Sequence, residues 1–211
     1  MKKLRIASDL ILAVLVFYAW GRMFLGQDGL LVSRGFSSLK YFTILSNLFA
    51  GVTALVDLPC ACRGAEAGRK LTLMKYMSAA SVMLTLTTVV LFLGQIYGLR
   101  AMFAGVNLIL HLIVPVLAAL DFIVLHLSYK ISFRESLTAI IPMAVYGIGY
   151  VLNILINGVG TPPATNDWYG FARWGLGWTP LVFLVVALVT WGLGGLLLLL
   201  RTAIKPLRNR P

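Results

Sequence analysis

An all-α, polytopic membrane protein with six transmembrane helices, forming one domain over residues 1–211, is the fold that the sequence predicts. Of its 211 residues, 60% are hydrophobic and 12% are charged, against about 45–50% and about 25% in soluble domains. The apolar residues come in continuous runs rather than alternating every second position, which favours helices over the strands of a barrel. A helix needs about 20 apolar residues to cross the hydrocarbon of a bilayer. Six runs qualify, at about 6–25, 39–58, 71–97, 104–127, 136–156 and 179–200. Disorder is excluded, because 11 Phe, 8 Tyr and 5 Trp are too many for a chain without a core.

Each segment has its own justification. Lys2, Lys3 and Arg5 precede the apolar core of the first, in the manner of a signal peptide. No small-x-small cleavage pattern follows at Trp20-Gly21-Arg22-Met23, so the segment reads as a retained helix. Ser37 and Ser38 are placed to cap the second helix. Thr179-Pro180 puts a cap before a proline at the first position of the sixth. Residues 157–178, rich in Gly, Pro, Asn and Trp, form the one substantial loop.

Lys and Arg in short loops set the orientation. With the N-terminus inside, twelve of the 18 basic residues lie on the cytoplasmic side: Lys2, Lys3, Arg5, Arg63, Arg69, Lys70, Lys130, Arg134, Arg201, Lys205, Arg208 and Arg210. Five lie outside (Arg22, Arg34, Lys40, Arg100 and Arg173), and Lys75 sits just inside the third helix. Both termini are therefore expected in the cytoplasm. The net charge of +11 becomes a topology signal, with anionic membrane lipids as its partner and no role for nucleic acid. Cys60 and Cys62 form a lone C-x-C without the second ligand pair of a metal site, so neither metal nor cofactor is expected.

Polar residues inside spanning helices are costly and mark function by default. Asp9, Asp57 and Asp121 fall toward the cytoplasmic ends, where Lys and Arg are available as interfacial partners, and His126 reads as a surface residue. The outer half differs. Thr43 lies roughly 6 Å into the second helix and His111 roughly 10 Å into the fourth, at 1.5 Å per residue. Ser46 and Asn47 share a face with Thr43, Asn107 shares one with His111, and Asn153 and Asn157 reach a similar level on the fifth helix. A hydroxyl becomes a nucleophile when an imidazole accepts its proton, and Thr43 and His111 are the pair whose depths agree best. No carboxylate is near enough to orient the imidazole, which leaves Asn107 or a backbone carbonyl for that task.

Lys40-Tyr41-Phe42-Thr43-Ile44-Leu45-Ser46-Asn47, together with Asn107-Leu108-Ile109-Leu110-His111 and Pro115, resembles the paired motifs of the androgen-induced membrane hydrolase family. Gly149-Tyr150-Val151-Leu152 and the loop aromatics Trp168 and Tyr169 add a looser likeness. Ser46 stands where animal members are expected to carry Asp, and the Tyr-Phe-Thr-x-x-Ser-Asn form is nearer to bacterial relatives. The resemblance implies a hydrolase, or acyltransferase, of fatty-acyl esters in a bacterial cytoplasmic membrane. It places the nucleophile at Thr43 and the base at His111. Ser46, Asn47, Asn107 and Asn153 are then the candidates for binding the substrate or its oxyanion. The alternative is a small six-helix transporter or substrate-binding subunit. The Ala-x-x-x-Ala contact of such vitamin-binding subunits is missing, because Ala7, Ala13 and Ala19 are six residues apart.

Overall fold

A computed structural model describes residues 1–26, 34–161 and 165–208, without the side chains of 205–208. Six helices are long and apolar enough to cross a membrane: α1 (Lys2–Phe24), α2 (Phe42–Cys62), α3 (Arg69–Tyr97), α4 (Val106–Leu125), α5 (Phe133–Asn157) and α6 (Leu176–Ile204). No strand occurs among the described residues.

The helix starts differ from expectation. Ser37 and Ser38 do not cap α2; they lie in a 3-10 turn, Gly35–Lys40, and bond back to the Arg34 and Gly35 carbonyls. Instead, the first N–H of α2, on Phe42, donates to the Tyr169 hydroxyl at 2.9 Å. Thr179 is likewise already helical, following a 3-10 turn, and its buried hydroxyl has no partner among the described residues. Pro59 does not end α2, which runs on to Cys62. So near a helix end, the missing N–H forfeits a single bond.

Half of the apolar stretch of α2, α3 and α4 is buried, against 28% for α5 and 17% for α6. The core therefore lies mainly among α1–α4, and α5 and α6 join its edge through Ala139 and Leu197, which pack with Tyr76 and Ala79 of α3 and Phe122 of α4. Leu12 and Val16 of α1 meet Ala50 and Ala54 of α2, Val82 of α3, and Val114 and Ala118 of α4. Small residues let apolar helices approach closely. At Gly51, a β-carbon would stand 2.9 Å from Val16 Cγ1, so that crossing requires glycine. The opposite faces expose Leu10, Val14, Val52, Leu55, Val145, Ile148, Leu184 and Leu188, as a lipid-facing surface would.

Arg5 bonds the Ala65 carbonyl between α2 and α3, and Arg201 bonds the His126 and Tyr129 carbonyls between α4 and α5. These contacts define a near end, with residues 2 and 204 on the same side. The start of α2, the start of α4 and the 157–178 loop form the far end.

Candidate functional site

Thr43 lies in the first turn of α2 and is half-buried. Ser46 and Asn47, one turn on, are buried and both bond back to its carbonyl, at 3.2 and 2.7 Å. The same Asn47 nitrogen donates to the Leu110 carbonyl of α4 at 3.1 Å. One amide thus ties the backbone of Thr43 to the residue beside His111. Ser46 reaches the Thr85 hydroxyl of α3 at 3.1 Å, so three helices join at this level.

His111 sits in a widened, π-helical turn, Ile109–Ile113. Pro115 explains the turn: it has no N–H to offer the His111 carbonyl four residues back, and its ring crowds that carbonyl. Such turns recur at functional sites. The imidazole is buried, and its Nδ1 lies 2.9 Å from the Met102 carbonyl. A carbonyl only accepts, so Nδ1 carries a proton, and in the neutral ring Nε2 presents the lone pair. The Met102 carbonyl comes from a short helix, Leu99–Met102, bracketed by Gly98 and Gly105 at φ of +84° and +54°. Only glycine adopts that backbone freely.

The proposed residues are not all joined. Thr43 and His111 share no hydrogen bond. The Asn107 side chain is buried and makes none among the described residues, so it does not orient His111. Asn153 pairs with Asn157 at 2.9 Å, apart from the others.

The far-end loop straps over the start of α2. Trp168 donates to Tyr146 at 3.0 Å, Tyr146 donates to the Lys40 carbonyl at 2.7 Å, and Tyr150 bonds Asp167. Burial pushes the Tyr169 phenol up to about 12, so it stays neutral while accepting the Phe42 N–H. Below the strap, a cleft of about 210 Å³ opens between α2 and α5, lined by Phe42, Leu45, Ser46, Phe49, Val145 and Tyr146.

A second polar centre lies at the near end, and here two expectations fail. Asp9, Asp57 and Asp121 are not interfacial, and His126 is not a surface residue. Their exposures are 1%, 0%, 2% and 0%. Arg5 of α1 forks onto Asp57 of α2, with Nε 2.9 Å from Oδ2. Lys75 of α3 bonds Asp9 and, at 2.9 Å, Asp121 of α4, which also accepts from Ser8 at 2.7 Å. His126 Nε2 lies 3.3 Å from Asp57 and 3.2 Å from Asp121. It sits between the two, off line for a hydrogen bond to either.

No protein-family model matches the chain, and no curated protein or solved structure is detectably similar to it.

The near-end centre had a sequence signal. α1, α2, α3 and α4 each carry ionisable residues close to the same end, and Arg5 and Asp9 are four apart, on one face of α1. Lys75, counted only as a surplus basic residue, is the group that unites them. Cys60 and Cys62 are free thiols, and Cys60 lies against the Ala65 and Glu66 carbonyls.

Proposed function

We propose that the chain is a membrane hydrolase, or acyltransferase, of fatty-acyl esters, with Thr43 as nucleophile and His111 as base. The observation that carries this reading is the His111 Nδ1–Met102 carbonyl bond, which leaves Nε2 as a proton acceptor beside the α2–α4 tie. In the free protein, the Thr43 hydroxyl is not yet on Nε2. Catalytic hydrogen bonds commonly tighten only when substrate binds.

In the reaction, Nε2 takes the Thr43 proton as Oγ1 attacks the ester carbonyl carbon. The tetrahedral intermediate collapses, and the imidazolium protonates the departing alcohol. A water deprotonated by His111 then attacks the acyl-threonine, releasing the fatty acid and restoring Thr43. Both protons of the Asn47 amide are engaged by carbonyls, and Asn153 is turned to Asn157. Asn153 keeps a free NH2 group but belongs to α5, so Asn107, one turn before His111 and with no side-chain partner among the described residues, is the better placed to donate to the oxyanion. The α2–α5 cleft is apolar enough for an acyl chain, and Ser46, on the face of Thr43, is among its lining residues. A bacterial cytoplasmic membrane, with the near end in the cytoplasm, agrees with the basic residues gathered there.

A transporter or substrate-binding subunit is the second reading, favoured by the buried ionic centre, since such groups line ion pathways in membranes. A fluorophosphonate probe separates the two. Mass spectrometry of labelled protein should place the adduct on Thr43, and Thr43→Ala should abolish it. Wild-type protein that resists labelling would contradict the hydrolase and favour the transporter.

A further inference from the structure

The near-end centre has an unbalanced charge. Three carboxylates (Asp9, Asp57 and Asp121) face two permanent cations (Arg5 and Lys75), all of them buried. The three acids and two bases leave one negative charge uncompensated in a site that excludes water, where an unpaired charge is strongly disfavoured. Two features show where compensation goes. His126 Nε2 stands between Asp57 and Asp121 oxygens at 3.3 and 3.2 Å, and neither imidazole nitrogen has a hydrogen-bond partner. Asp9 Oδ2 is also unpartnered, but Asp9 already pairs with Lys75 through Oδ1, whereas His126 Nε2 lies beside two carboxylates.

The geometry points to a proton-binding site at this centre, seated on His126 and taking up one proton per chain. Entry is from the near end. A cleft of about 210 Å³ there is lined by Lys2, Arg5, Ala65, Glu66 and Ser128, and the Arg5 guanidinium on its wall holds Asp57. A hydronium ion entering there gives up its proton, leaving water; with that proton on Nε2, the centre goes from one negative charge to none. The other elements around His126 are accounted for. α6 brings Arg201, which bonds the His126 and Tyr129 carbonyls. Glu135 of α5 is engaged by Arg69 and Tyr129 instead. Because the site ties α1, α2, α3 and α4 together, its occupancy bears on the packing of all four. Buried relays of this kind serve proton-coupled membrane proteins. The inference stands whether or not Thr43 is a nucleophile.

The chain has only two histidines, which makes the test direct. Nitrogen-15 spectra of histidine-labelled protein in lipid nanodiscs report each imidazole, and His111→Gln assigns the pair. His126 should give the signals of a charged imidazolium, with both nitrogens protonated. Asp121→Asn removes the uncompensated charge, so the charged-to-neutral ratio should fall at least about tenfold. If that variant does not fold, the wild-type spectrum decides alone. A neutral His126 in the wild type, or a folded Asp121→Asn variant with His126 still charged, would overturn the proposal. None of these readouts depends on ester hydrolysis.

Discussion

The two polar centres of this bundle sit at opposite ends and are built by opposite rules. At the near end, Arg5, Asp9, Asp57, Lys75 and Asp121 are locked to one another across four helices, and at this centre only the His126 ring and Asp9 Oδ2 lack a hydrogen bond to the described residues. At the far end, the Thr43 hydroxyl and the Asn107 amide bond nothing among the described residues, and His111 is held by one nitrogen only. Bonds that are satisfied hold helices together, whereas unsatisfied groups are available to a ligand. A buried ionic lattice is tolerated only if each charge has its partner. A reactive site needs a base whose lone pair is free and whose ring cannot turn. The comparison teaches that burial of polar groups does not by itself distinguish structure from chemistry; the state of their bonds does.

Breaking the lattice should have the largest effect. Lys75→Ala strips Asp9 and Asp121 of their shared cation and should destabilise the protein by about 3–5 kcal/mol, measured by unfolding in mixed micelles. A loss below 1 kcal/mol would mean that the lattice is not the tie described here. Next comes the strap between the loop and α2. Tyr169→Phe removes the acceptor of the Phe42 N–H and should cost about 0.5–1.5 kcal/mol in the same assay. The smallest change is expected at the far-end centre. Thr43→Ala removes a hydroxyl with no partner, and its stability should stay within about 0.5 kcal/mol of wild type.

The spans were legible because apolar length is a one-dimensional property, and all six runs correspond to helices. Relative level along the bundle was legible too, since the rise per residue is fixed, and Asn47 reaches the Leu110 carbonyl beside His111. Direction around the helix was not. His126 and Asp121 lie at the end of α4 expected of interfacial groups, but Lys75 and Arg5 turn that end into an interior. The caps at Ser37, Ser38 and Thr179 failed for a related reason. The true partner of the Phe42 N–H is Tyr169, 127 residues away, and no local pattern encodes it. At the far end, the sequence showed Thr43, Ser46 and Asn47 on one face and left the partner of His111 open. The answer, the Met102 carbonyl, depends on a glycine-bracketed turn that residue spacing does not reveal.

Turnover of a long-chain acyl ester by Thr43→Ala and wild-type protein in liposomes, at matched amounts of folded protein, tests the hydrolase reading most directly. Thr43→Ala should lose at least about a hundredfold in rate, and Thr43→Ala with His111→Ala should be little worse than either alone, because the pair acts as a unit. Thr43→Ser should keep part of the activity, as it retains the hydroxyl and loses only the branch that fixes its rotamer. Equal turnover by Thr43→Ala and wild type would contradict the account.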